Sequence, residues 1–269
     1  VDNPSRRLLL FIPAFNCARQ IVRVLEQLEP RVMVHVQRVL LIDNRSTDGT
    51  VEAVLEWAAK NPGLPLLVMR NDSNYSLGGS HKVAFDHALQ HDFSHVLVLH
   101  GDDQADIRDL VPWLEDGRAL SGDAFLGSRF ARGSRLPGYS WFRILGNLAF
   151  NALVSLVAGR RLTDLGSGLN LFRMAPLAGR SYLPFPDNLN FNVYLLLYLV
   201  HTRARFEFFP ICWREEDQIS NVRFVRQSVE ILSVCLRYRL DRQGLFAPHQ
   251  GLPPDRYTSQ VVLDATRDS

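Results

Sequence analysis

Between residues 7 and 127 the chain alternates short, uniformly apolar runs with longer stretches whose apolar residues recur at helical spacing, and that rhythm admits few architectures. The short runs fall at 7–12, 39–42, 66–69, 95–99 and 123–126, and the helical stretches at 20–28, 50–59, 80–89 and 107–120. A strand that is apolar on both faces must be covered on both faces. Strand-helix-strand crossovers achieve this with a mostly parallel sheet flanked by helices, so a Rossmann-like α/β fold is expected.

Beyond Gly127 the pattern changes. Residues 127–140 are rich in Arg, Gly and Ser and read as a loop. Residues 141–159 are strongly apolar, yet Arg143, Asn147, Asn151 and Ser155 recur every fourth residue and line one face of a helix. Such a helix either packs on the core, the commoner outcome, or lies in a membrane interface with its apolar side down. A strand at 168–172, a helix at 193–200, a strand at 206–211 and a helix at 225–240 follow. From residue 244 onward, Gly, Pro and polar residues read as a loosely held tail, 244–269.

Composition narrows the function classes. A formal charge of +2 over 269 residues gives no strong field, so no nucleic-acid partner is expected from bulk electrostatics. Lys60 and Lys82 are the lysines among 30 basic residues, a skew toward Arg that we attribute to genomic base composition. Cys17, Cys212 and Cys235 are odd in number and lack metal-site spacing, which fits a reducing cytosol. No secretory signal is recognised.

The chemistry gathers where strands end. Asp102, Asp103 and Asp106 follow the 95–99 strand, at the edge where open α/β sheets bind ligands. Oxygen donors there suit Mg2+ or Mn2+ on a diphosphate. Asp43, at the tip of the second strand, is placed to accept a hydrogen bond from a nucleobase imide, because Ser46, Thr47 and Asp48 are nearer the next helix and serve better as caps. Gly78-Gly79-Ser80 opens a helix whose free N–H groups suit a phosphate, with Lys82 nearby. Asp106 and Asp109 fall in a first helical turn, where negative charge is favourable without a catalytic duty.

Ile12-Pro-Ala-Phe-Asn16, Ile42-Asp-Asn-Arg-Ser-Thr-Asp-Gly-Thr50 and the Asp102 loop, in that order and spacing, resemble the nucleotide-sugar half of family 2 glycosyltransferases with the GT-A fold. Asn74-Tyr-Ser-Leu-Gly-Gly-Ser-His-Lys82, Gly127-Ser-Arg-Phe130 and Asp164-Leu-Gly-Ser-Gly168 are similar to the dolichyl- and polyprenyl-phosphate sugar synthase branch, and the likeness covers residues 7–225. It implies a nucleotide-sugar-binding half at 1–127 and an acceptor-binding half with a helical extension at 128–243 of the same domain. It also implies inverting transfer from a UDP- or GDP-linked sugar to a polyprenyl phosphate or another lipid-linked acceptor, in the cytoplasm at the membrane face. Homo-oligomer formation and membrane association stay open.

The implied donor contacts are Pro13, Ala14, Asn16, Asp43, Gly79, Lys82, Asp102 and Gln104. Asp102 is the leading metal ligand, with Asp103 as an alternative and His100 as a neutral imidazole donor. The sequence departs from the pattern in three places. His100 stands where the first carboxylate of the metal motif belongs, Cys17 where an acid often follows the Asn, and Asn44 where a second Asp is frequent.

On the acceptor side, Arg129, Arg132 and Arg135 are suited to grip a diphosphate or an acceptor phosphate, or else form a solvated charge run. Asp164 is a candidate active-site carboxylate, and with Thr163 is equally a turn former. Glu215, Glu216 and Asp217 depart from the basic residues usual at this loop. With Asp164 they are base candidates for the alternative reaction, transfer to a hydroxyl of a glycan or small molecule. A further alternative is a non-catalytic nucleotide-sugar-binding subunit.

Overall fold

A computed structural model describes residues 7–215, 224–247 and 250–266. Its strands are β1 Leu8–Ala14, β2 Arg38–Asp43, β3 Leu66–Asn71, β4 His95–Leu99, β5 Ala124–Ser128, β6 Leu169–Arg173, β7 Phe206–Pro210 and β8 Ser259–Asp264. They form one sheet in the order β7-β5-β6-β4-β1-β2-β3-β8. The pairs of β1 with β2 and β4, of β2 with β3, and of β5 with β7 are parallel. β6 runs antiparallel between β4 and β5, and β8 antiparallel along β3. The helices are α1 Ala18–Glu26, α2 Pro30–Met33, α3 Thr50–Lys60, α4 Ser76–Gln90, α5 Val111–Glu115, α6 Trp141–Ala158, α7 Asn190–His201, α8 Phe224–Leu240 and α9 Arg242–Phe246.

The uniformly apolar strands are buried on both faces because successive side chains point to opposite sides. Leu9, Phe11, Leu40, Ile42, Val96 and Val98 enter one core with Phe85 of α4, Val154 of α6 and Phe191 of α7. Leu8, Leu10, Ile12, Val39, Leu41, Leu97 and Leu99 enter the other with Ile21 of α1, Val54 of α3 and Val111 of α5.

Two expectations about elements change. The stretch 107–120 is not one helix: a 3-10 turn, the five-residue α5 and a second 3-10 turn share it, with Gly117 at a left-handed φ of 79° breaking the run. The segment from 244 is not a loose tail. Phe246 of α9 packs against Phe185, Tyr198 and His201, and β8 extends the sheet beyond β3.

Candidate active site

The ends of β1 and β2 are level, with Pro13 opposite Ile42 and Ala14 opposite Asp43. Pro13 and Ala14 therefore sit inside β1, buried, and offer carbonyls to the N–H groups of Gly101 at 3.1 Å and Asn44 at 2.9 Å. The loops beyond them are sewn together. Asn16, at a left-handed φ of 49°, donates its N–H to Ser46 Oγ at 2.9 Å and accepts the Thr47 N–H on Oδ1 at 2.9 Å. Asp48 accepts the Ala18 N–H at 3.0 Å. Asn16 thus shapes the loop that frames the site. Phe15, which the sequence reading passed over, leaves 49% of its surface exposed at this rim, where an aromatic face is available for stacking. Cys17 is buried and its thiol is pushed up to about 12 by burial, so a neutral group occupies the place of the missing acid.

Asp43 is fully buried. Its oxygens accept the Ser46 N–H at 3.1 and 3.3 Å, and Arg70 Nε lies 3.1 Å from Oδ2. Arg70 also donates to the Ser46 carbonyl at 2.9 Å. The carboxylate expected to meet a base is therefore closed by Arg70, a residue the sequence reading did not select. No run of sequence announces it, because the pair forms across neighbouring strands in the register Asp43 opposite Arg70.

At the end of β4 the acids separate by environment. Asp103 receives Arg23 Nε at 2.6 Å, Gln27 Nε2 at 2.9 Å and Arg214 Nη2 at 3.3 Å. Asp106 caps its 3-10 turn and holds Arg108 at 2.7 Å. Asp102 has no cationic partner among the described residues; it accepts the Gln104 N–H at 3.2 Å, and burial, reinforced by Asp103, pushes its carboxyl up to about 6. Gln104 fastens this loop to the acceptor side, accepting the Arg214 N–H at 2.8 Å and donating to the Arg214 carbonyl at 3.4 Å.

His100 does not join Asp102. It leaves β4 on the opposite face, its ring 6.2 Å from that of His81 and against Gly168, and burial holds it neutral, down to about 4. Among the described residues no three His, Cys, Asp or Glu side chains form a metal cluster. The ligand group of Asp102, Asp103 and His100 is thus corrected to Asp102, because Asp103 is neutralised by Arg and His100 faces the core. One free carboxylate fits Mg2+ or Mn2+ completed by phosphate oxygens and water rather than a preformed protein cage.

Gly79 and Lys82 are also corrected. α4 starts at Ser76, so the glycines lie within its first turn. The N–H groups of Gly78 and Gly79 both point at the Asp187 carbonyl, at 2.6 and 3.2 Å, and a Cβ on Gly78 would stand 2.6 Å from Phe191 Cβ. These glycines permit close packing instead of cradling a phosphate. Lys82, with its side chain fully buried, donates to Asp187 at 2.7 Å, to Tyr257 at 3.0 Å and to the Phe185 carbonyl.

On the acceptor side Arg129 and Asp164 form a buried pair. Arg129 donates its backbone N–H and Nε to Oδ2 at 2.9 and 2.8 Å, and Nη2 to Oδ1 at 2.7 Å. The Arg129 guanidinium also lies over Trp213, 5.1 Å from the ring centre. Asp164 is thereby an anchor for the loop after β5, and its role as a base is corrected. Glu215 is ion-paired with Arg143. Glu216 and Asp217 lie outside the described residues. Arg132 and Arg135 are exposed, next to the backbone bridge from Arg135 to Cys212.

α6 is amphipathic in the inverse sense. Asn147 donates to Tyr139 at 3.3 Å, Asn151 to the Thr163 carbonyl at 2.8 Å and Ser155 to the Leu162 carbonyl at 3.1 Å, so the polar stripe faces the protein. Trp141, Phe142, Leu145, Leu148 and Leu156 face outward, the last 80% exposed. α8 packs beside α6 and adds Val229, Leu236 and Leu240. The expectation of ordinary core packing holds for one narrow face only: Val154 and Ala158 are buried there beside Asn151, while most of the apolar side chains of α6 face outward.

These features place the molecule in a structural class. A mixed sheet with parallel β3-β2-β1-β4 units, loops gathered at their carboxyl ends and an acidic corner after β4 is the GT-A glycosyltransferase fold. The structure of glucosyl-3-phosphoglycerate synthase from Mycobacterium tuberculosis with Mn2+, uridine diphosphate and phosphoglyceric acid superposes with a TM-score of 0.63 at 16% identity, covering 95% of this chain and 86% of that one. The chain belongs to glycosyl transferase family 2, whose sequence model matches residues 10–178. It is 26% identical over 171 residues to the polyprenol monophosphomannose synthase of Mycolicibacterium smegmatis, covering 63% of each protein. It is 26% identical over 167 residues to the undecaprenyl-phosphate mannosyltransferase of Micrococcus luteus, covering 62% of this chain and 66% of that one. The alignments thus span less than two thirds of these relatives.

Proposed function

We propose that this family 2 glycosyltransferase moves a sugar, with inversion, from a UDP- or GDP-linked donor to a polyprenyl phosphate at a membrane surface. The observation that carries the acceptor class is the state of the acids. Both described base candidates, Asp164 and Glu215, are committed to arginines. A hydroxyl acceptor needs a base, whereas a phosphate oxygen is nucleophilic as it stands. The relatives named as polyprenyl- and undecaprenyl-phosphate mannosyl enzymes support the same choice.

In this reading the donor lies across the ends of β1, β2 and β4, with Phe15 against the base and Arg70 at its edge. The acceptor phosphate oxygen forms a bond to the anomeric carbon while the bond to the nucleoside diphosphate breaks. Asp102 would hold Mg2+ or Mn2+, which would supply charge neutralisation on the diphosphate. Arg132 and Arg135 are the exposed cations available to the acceptor phosphate. The outward apolar face of α6 and α8 gives the lipid-bearing substrate a surface at which to arrive.

The test is incubation with radiolabelled UDP- and GDP-sugars, Mn2+ and undecaprenyl phosphate. Label in an organic-extractable, mild-acid-labile product is expected from one donor. Label appearing instead only in water-soluble glycoside would replace the lipid-phosphate acceptor with a hydroxyl acceptor.

A further inference from the structure

The segment 250–266 crosses the β3 edge and is bound at both ends. Near its start, Asp187 accepts Lys82 and Tyr257 on Oδ1 at 2.7 and 2.5 Å and the Leu252 N–H on Oδ2 at 2.9 Å. At its end, Asp264 pairs with Arg38 at 2.5 Å. Between these anchors two hydrogen-bonded routes run inward and meet on one atom. Ser259 Oγ donates to Asn71 Oδ1 at 3.0 Å, and Asn71 Nδ2 donates to Asn44 Oδ1 at 2.9 Å. Tyr75 exchanges hydrogen bonds with Thr258 through its hydroxyl at 3.0 and 3.2 Å, and its own N–H donates to the same Asn44 Oδ1 at 2.8 Å. Asn44 Nδ2 then holds Asn74 at 2.9 Å, and its N–H is fixed on Ala14.

Asn71 and Asn44 are buried, so each of these bonds carries weight: a lost partner leaves a polar group without water. We infer that Asn44 is a positioning residue through which the C-terminal segment sets the loop after β2 for nucleotide binding. This rests on the donor site proposed above. Asn44 touches no reacting atom; it fixes the backbone that follows Asp43 and the turn that starts α4. The exchange of a frequent Asp for Asn at this position follows from the same geometry. An amide accepts two N–H groups on one side and donates to Asn74 Oδ1 on the other, which a carboxylate cannot do.

The test compares the wild-type chain with Ser259→Ala, Tyr75→Phe and the double variant, with Ser259→Thr as a conservative control. Hydrogen exchange without ligand reads the coupling: the amides of Ser46 and Tyr75 exchange about fivefold or more faster in the double variant, while those of β4 and β6 keep their rates. Titration with UDP and with GDP, each with Mn2+, reads the consequence. The Kd of the nucleotide that binds rises about fivefold in the double variant, and Ser259→Thr stays at the wild-type value. Unchanged exchange at Ser46 and Tyr75 overturns the inference, as does acceleration spread over the whole sheet or an unaltered Kd. Faster loop exchange in a chain that binds neither nucleotide leaves the coupling standing and overturns the donor reading instead.

Discussion

Asp102 and Asp103 are neighbours in the chain and opposites in environment: Asp103 is held by Arg23, Gln27 and Arg214, while Asp102 accepts backbone N–H groups and has no cationic partner among the described residues. A half-buried carboxyl that is largely withdrawn from solvent and has no counter-charge titrates high, here at about 6. Its folded value exceeds the unfolded one, so stability is full below the unfolded pKa and falls as pH rises toward 6. Above that the ionised carboxylate is a standing cost unless a cation binds. Metal-free Asp102→Asn is therefore expected to be more stable than wild type at pH 7.5 by about 1–3 kcal/mol, with the gain vanishing near pH 4. Urea unfolding at both pH values measures this, and equal stability at pH 7.5 would show that Asp102 is not the strained group.

The same titration governs the metal. Cation binding needs the ionised carboxylate, so Mn2+-dependent thermal stabilisation by a nucleotide should weaken as pH drops through about 6. Asp102→Asn should abolish it at every pH, whereas Asp103→Asn should retain a metal response while losing stability. Retention of the response in Asp102→Asn would sink the ligand assignment.

Much of this was legible beforehand. Strand-length apolar runs matched β1 to β5, and the loops after β1, β2 and β4 pointed to the donor site proposed above, because the position and burial of each strand follow from local periodicity. What the sequence concealed were pairings across strands and between distant segments. Arg70 closes Asp43 through strand register. Lys82 is claimed by Asp187, 105 residues away, and by Tyr257, 175 away. β8 was missed because Gly, Pro and polar residues ahead of it suggest a tail, and its six residues gain strand geometry only by pairing with β3. The polar stripe of α6 was visible, but the direction it faces depends on Tyr139, Thr163 and Leu162.

Lys82 is expected to act through folding. Lys82→Met removes the cation from a buried network and leaves the Asp187 carboxylate with Tyr257 and the Leu252 N–H. Loss of one partner of a buried pair costs about 3–5 kcal/mol. Chemical denaturation should register a loss of that order. A stability within about 0.5 kcal/mol of wild type, the range of ordinary surface substitutions, would return Lys82 to the list of phosphate ligands.

Asp164 poses the parallel question on the acceptor side. Asp164→Ala strands the Arg129 guanidinium and the Arg129 N–H, both bonded to this carboxylate, so a loss of about 3–5 kcal/mol is expected with the loop after β5 released. A general base would behave differently. Its loss would reduce turnover while leaving the unfolding midpoint in place, so the two measurements made together separate the anchor from the base.

The outward face of α6 and α8 makes the sharpest cellular prediction. Leu145 and Leu236 are exposed on it, and each Leu transferred from water to an apolar phase is worth about 1.5–3 kcal/mol. Leu145→Glu with Leu236→Glu forfeits that gain twice and adds two charges to the face, so vesicle binding should fall by at least about a hundredfold. Neither side chain supports the core, and folding stability should move by no more than about 0.5 kcal/mol each. Co-sedimentation with vesicles of phosphatidylglycerol and phosphatidylcholine measures the first quantity and urea unfolding the second. If the double variant still sediments with vesicles like wild type, the apolar face has another use, and a fall in apparent mass by light scattering would identify it as a contact between copies of the chain.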